Sequence, residues 1–209
     1  MSAIAAPALA AADDAPRTAQ LGMWVFLGTE VLFFGGLFVA YAVGRAHWPH
    51  GFAVASRHTD VVLGTVNTAV LLTSSAIVAF AVACADHPAQ RRWTALALWA
   101  TAALGVVFLA IKGVEYAHEW SEHLFPLADF ALTEPGAELF WVLYFVMTIL
   151  HSVHLLIGIV GVAAFARATG AGKSWPTPGR VDTMALYWHF VDIVWIVLYP
   201  LLYLVERHA

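Results

Sequence analysis

The sequence predicts an all-α integral membrane bundle of five transmembrane helices. Of its 209 residues, 61% are hydrophobic and 11% are charged, whereas water-soluble domains carry about 25% charged residues. Five separate stretches also reach the length of about 20 mostly apolar residues that a bilayer crossing requires. A chain of this length suits one membrane domain, residues 21–209, with helices over about 21–44, 61–83, 93–120, 139–165 and 183–205.

The first twenty residues are rich in Ala and Pro. They lack a basic start, Pro7 interrupts the apolar run, and Asp13 and Asp14 follow it. This is not the pattern of a cleaved leader. The expectation is a disordered N-terminal tail over 1–20 that stays in the mature chain. Glycines inside the spans, such as Gly35, Gly105 and Gly158, do not break them, because small residues let membrane helices approach closely. The second span is bland, with Asn67 and a run of Thr and Ser. The third can extend as a helix towards Ser121.

The four connections read as loops. The first is GRAHWPHGFAVASRHTD, and the second, ADHPAQRRW, is short and basic. The third, SEHLFPLADFALTEPGAE, is acidic, and the fourth, RATGAGKSWPTPGR, is basic. With the N-terminus cytoplasmic, Arg17, Arg91, Arg92, Arg167, Lys173 and Arg180 share the inner side, against Arg45, Arg57 and Arg207 outside. The Lys/Arg bias therefore places the N-terminus inside and the C-terminus outside. Trp48, Trp93, Trp120, Trp175, Tyr199 and Tyr203 fall at the expected boundaries, as interfacial belts do. A net charge of −4 speaks against a nucleic-acid partner. Cys84 is the lone cysteine, so neither an intrachain disulfide nor a thiolate metal cluster can form.

Ionisable groups within spans are costly, and each needs a partner. Glu30, His151, His154, His189 and Asp192 stand out. At 1.5 Å rise per residue, Glu30 lies roughly 14 Å from the inner end of its helix, and His189 and Asp192 roughly 9 to 14 Å from theirs. His151 and His154 descend from outside to a similar depth. One interhelical cluster is the expectation. His151 and His154 share a helix face, as do His189 and Asp192. Three readings stay open for this cluster. It can be a metal site built on His151-x-x-His154 plus His189 and a carboxylate. It can be a proton or ion path, although no inverted pair of broken helices accompanies it. Or it can be polar glue that fixes helix register and a subunit contact. A second group, Lys112, Glu115, Tyr116, His118 and Glu119, lies near the outer end of the third helix. Lys112 and Glu115 can pair, and the simplest reading is an interfacial helix end with solvated charges.

Four motifs add a resemblance. The closing helix carries YWHFVDIVW (Tyr187 to Trp195). The opening helix carries MWVFLGTEVLFFGGLFVAY, with Glu30 ahead of Phe33 and Phe34. The third span ends in IKGVEYAHEW, with Glu115 and Tyr116, and the fourth holds HSVHLLIG, with His151, His154 and Gly158. In this order they resemble subunit III of the haem-copper cytochrome c oxidases, in its five-helix bacterial form. The longer form has two further helices ahead of the buried glutamate, with lipids in the cleft they create.

The resemblance implies a subunit with no haem, copper or other metal of its own and no catalytic residue. Haem and copper belong to subunits I and II, which pass electrons from cytochrome c to oxygen and pump protons. Subunit III would pack on subunit I, bind phospholipid, stabilise the complex in aerobic respiration and support proton uptake. Glu30, His151, His154, His189 and Asp192 carry over as the buried polar cluster. Lys112, Glu115 and Tyr116 mark the outer helix end, and Trp188 and Trp195 are packing residues of the closing motif. Cytochrome c would meet this chain only indirectly, and the location would be a bacterial inner membrane. The alternatives are subunit III of a quinol oxidase, an accessory protein of a nitric oxide reductase, or, more remotely, a stand-alone membrane carrier.

Overall fold

In the computed structural model the backbone is described for residues 5–126 and 130–204, and side chains from Thr18 onward except that of Ala19. Among the described residues there are six α-helices: α1 (Ala5–His47), α2 (Pro49–Arg57), α3 (Val61–Ala85), α4 (Arg91–Ser121), α5 (Ala137–Gly170) and α6 (Pro178–Tyr203). A short 3₁₀ turn, Pro88–Gln90, leads into α4. Five of the helices are long and apolar enough to cross a membrane.

Two expectations change. Helix α1 begins at Ala5, so most of the segment read as a disordered tail is helical; residues 1–4 lie outside the described set, as do Val205 and Arg207. The first connection is not a plain loop, because it holds α2. Pro49 sits in the first turn of α2, where its missing N–H costs nothing. The helix buries Phe52, whose ring meets Tyr41 edge-on at 5.3 Å and Phe140 at 5.6 Å. Gly51 lets α2 dock against the turn before α5, since a Cβ there would lie 2.1 Å from the Pro135 carbonyl oxygen.

Helices α3 to α6 form the tight part of the bundle, with α3 packed on α4 and α6, and α5 packed on α4 and α6. Asp60 caps α3 by accepting from the Leu63 N–H at 3.0 Å. The buried stripe of α3 runs Gly64, Asn67, Leu71, Ser74, Val78, Ala81, the three-and-four spacing of one helix face. At Gly105 a Cβ would meet Ile159 at 2.7 Å and Trp188 at 2.8 Å, so this glycine sets the approach of α4 to α5 and α6. Helix α1 lies against α5 and α6 at the edge. Only 11% of its most apolar stretch is buried, against 56% for α6.

Candidate functional site

The five residues expected to form one cluster occupy four environments. Glu30 on α1 and His154 on α5 meet: Nε2 lies 3.1 Å from Glu30 Oε2. His154 Nδ1 lies 2.8 Å from the Leu150 carbonyl. A carbonyl only accepts, so Nδ1 carries a hydrogen. The contact at Nε2 then holds one proton, shared between an imidazole and a carboxyl group. The pair is partly buried, at 16% and 17% exposure. Phe34 packs its ring edge on His154 at 5.4 Å, and Tyr187 donates to the His154 carbonyl at 2.9 Å.

His189 turns to α3 instead, with Nδ1 2.7 Å from Ser75 Oγ. Its neighbours in the closing motif do the same. Trp188 donates to Ser74 Oγ at 3.1 Å, and Trp195 to Thr68 Oγ1 at 3.0 Å. The bland second span is thus the acceptor strip for α6. Asp192 is buried, and neither carboxyl oxygen has a hydrogen-bond partner among the described residues. His151 is buried between Phe108 (5.6 Å) and Trp195 (5.2 Å), its two ring nitrogens also unpartnered. Of the five, Glu30 and His154 are the pair joined to each other by a hydrogen bond. The single cluster expected from depth alone is therefore corrected. Depth fixes a level in the membrane, while the direction of each side chain follows from its angle around the helix.

The group at the C-terminal end of α4, expected at an outer, solvated helix end, needs the larger correction. Lys112, Glu115 and Glu119 are 1%, 2% and 2% exposed; they are not solvated. Lys112 Nζ lies 3.1 Å from Glu115 Oε2 and donates to the Tyr144 and Tyr203 hydroxyls at 2.7 and 2.6 Å. Tyr203 donates to Glu115 Oε1 at 2.6 Å. The Tyr144 hydroxyl contacts Glu115 Oε1 at 2.8 Å and also Glu119 Oε1. Tyr116 stands beside them, its ring 5.0 Å from Lys112 Nζ and its hydroxyl donating to Thr148. Three helices, α4, α5 and α6, meet in this network. His118 alone of the expected group is well exposed. Tyr203, read as an interfacial aromatic, is fully buried here. Tyr144 is not among the residues the sequence singles out. The spacing Tyr144, Thr148, His151, Leu155 on one face of α5 was the signal that could have found it.

Among the described residues no group of three or more His, Cys, Asp or Glu side chains is placed to hold a metal ion.

The profile of the family described as cytochrome c oxidase subunit III matches residues 14–206. The chain is 34% identical to the cytochrome c oxidase subunit 3 of Thermostichus vulcanus, over 94% of this chain and 92% of that protein. It is 30% identical to the protein of the same name from Corynebacterium diphtheriae, over 97% and 96%. A "Probable quinol oxidase subunit 3" of Staphylococcus epidermidis is 27% identical, over 89% and 88%.

Proposed function

Because the chain belongs to the cytochrome c oxidase subunit III family, we propose that it acts inside a proton-pumping terminal oxidase as a supporting subunit without a redox centre of its own. In this reading it packs on subunit I, keeps the complex intact through repeated turnover, and aids proton uptake while cytochrome c reduces oxygen. Haem and copper are carried by subunits I and II. Cytochrome c docks elsewhere and meets this chain only indirectly.

The observation that carries the reading is the Glu30–His154 pair. It joins α1, the least buried helix, to α5 through one shared proton at a contact of 3.1 Å. A carboxyl group within a span that is neither sealed in the core nor bare to lipid is suited to exchange a proton with a neighbouring subunit. Three polar groups of α6 are engaged in contacts with α3: Trp188, His189 and Trp195 bind Ser74, Ser75 and Thr68. That supports a packing role for the closing motif.

Phospholipid is the expected non-protein partner. A 340 Å³ cleft lined by His87, Arg91, Thr169 and Lys173 opens where α3 ends and α4 begins, and its basic groups suit an anionic headgroup. By the Lys/Arg bias this is the cytoplasmic side of a bacterial inner membrane.

Purification of the tagged chain in mild detergent tests the assignment. The preparation should show haem absorption, and a colourless chain of unchanged yield would refute it. In the complex, Glu30→Gln should hasten inactivation during turnover and slow proton uptake. Unchanged values for both would leave Glu30 as a packing residue. The Staphylococcus relative keeps a quinol oxidase as second reading. Comparing reduced cytochrome c and a quinol as donors to the purified complex separates the two.

A further inference from the structure

The network at the C-terminal end of α4 has more contacts than protons to fill them. Lys112 makes three contacts, to Tyr144 at 2.7 Å, Tyr203 at 2.6 Å and Glu115 Oε2 at 3.1 Å. Glu115 Oε1 meets the Tyr203 hydroxyl at 2.6 Å and the Tyr144 hydroxyl at 2.8 Å. Glu119 Oε1 also meets the Tyr144 hydroxyl. With an ammonium, two phenols and two carboxylates, the donors hold five hydrogens: three on Lys112 and one on each tyrosine. Lys112 gives two to the tyrosine hydroxyls and pairs through its charge with Glu115 Oε2, which accepts no hydrogen bond. Tyr203 gives its one to Glu115. Tyr144 then has a single hydrogen and a carboxylate oxygen on either side. One of its two carboxylate contacts is left with no hydrogen in it, which repels rather than binds.

Charge gives the same answer independently. Two carboxylates facing one ammonium leave a net negative charge, and all three groups are at most 2% exposed. An uncompensated charge in such a place is strongly destabilising. Tyr116 on α4 offers no compensation, since its hydroxyl is given to Thr148. His151 is held behind the Trp195 ring, which lies 5.8 Å from Lys112 Nζ. Glu122, at the exposed end of the helix, adds only negative charge. One atom then points to the carrier. Glu115 Oε2 and Glu119 Oε2 are both buried without a hydrogen bond, but Glu115 Oε2 has the Lys112 ammonium 3.1 Å away, whereas Glu119 Oε2 has no such ion pair among the described residues, a heavier cost for an ionised carboxylate than for the carbonyl of a neutral acid.

We infer that Lys112, Glu115, Glu119, Tyr144 and Tyr203 form a proton-binding site that holds a sixth proton, on the Glu119 carboxyl group and donated to Tyr144. With that proton in place Tyr144 turns its own hydrogen to Glu115. Both carboxyl contacts of Tyr144 are then filled, the longer 3.2 Å contact between the Tyr144 and Tyr203 hydroxyls carries no hydrogen, and the network is neutral. The site goes beyond the role proposed for Glu30, and no residue is common to the two.

Infrared spectroscopy of the purified, haem-containing complex at neutral pH reads this directly. The wild type should show the carbonyl stretch of one un-ionised carboxylic acid that is lost in Glu119→Gln. Biosynthetic 13C-glutamate should shift the same band in the wild type, without any mutation. An unchanged spectrum in the variant, or no shift on labelling, overturns the inference. Assembly is the second readout. Gln matches a neutral acid in shape and donates to Tyr144 through its amide, so Glu119→Gln should yield wild-type amounts of complex. A several-fold loss in Glu119→Gln, with Glu119→Asp assembling normally, would mean that the charge is required and would overturn it equally. Colourless preparations from every variant and the wild type would count against the oxidase assignment and not against the proton, since the band is read on this chain with or without haem.

Discussion

Lys112 donates to Tyr144 and Tyr203 inside the bundle, pairs with Glu115 at 3.1 Å, and lies over the Tyr144 ring at 4.5 Å. A lysine so placed is costly to introduce and costlier to remove, because its loss strands Glu115. Lys112→Met should therefore destabilise the assembled subunit by about 3–5 kcal/mol, seen as a drop in the thermal inactivation temperature of the complex in detergent. Lys112→Met combined with Glu115→Gln should recover a large part of that loss, since the stranded charge is gone. Additive losses would show that the two groups do not interact. The residues of this network were in plain view in the sequence as IKGVEYAHEW, but their burial was not. Lys112 to Glu119 sits at the end of a long apolar run, where lipid-facing, solvent-facing and bundle-facing side chains all look alike in one dimension. Its partners Tyr144 and Tyr203 come from helices 32 and 91 positions further on, and no local pattern announces such a pairing.

At the level of helices, the contact of α6 with α3 and α4 depends on shape and on a few hydrogen bonds. The five spans and the long third helix could be read from apolar length alone, because the bilayer demands it. Helix α2 could not. Nine residues bounded by Trp48, Pro49 and Arg57 resemble a loop until Phe52 is seen wedged between Tyr41 and Phe140. Nor could the role of α3, whose Thr68, Ser74 and Ser75 look inert until Trp195, Trp188 and His189 reach them. Ser74→Ala leaves the Trp188 N–H buried without an acceptor and should cost about 1–3 kcal/mol. Gly105→Val drives a side chain into Ile159 and Trp188, at 2.7 and 2.8 Å for its first carbon alone, and should cost a further 1–3 kcal/mol or so through overpacking. Detergent melts of the complex carrying each change measure both. Melting temperatures equal to wild type would mean that α3, α4 and α6 meet more loosely than these contacts require.

The molecule as a whole has an inner and an outer end, and charge decides which is which. Arg91, Arg92 and Lys173 gather where α3 and α5 end and α4 and α6 begin, while the acidic connection between α4 and α5 lies at the opposite end. Lys and Arg flanking short connections stay on the cytoplasmic side during insertion, whereas acidic residues have little influence. The connection between α4 and α5 should therefore face outward, together with the Lys112 network just beneath it, and the Glu30–His154 pair should be reached from the inner half. Single cysteines test this arrangement in a Cys84→Ser background, with Thr133→Cys marking one end and Ser174→Cys the other. Both positions are exposed. A membrane-impermeant thiol reagent added to intact cells should label position 133 at once and position 174 only after the membrane is opened. The reverse order would put Glu30 nearer the outer surface, and proton uptake from the cytoplasm would then have to take a route that avoids it.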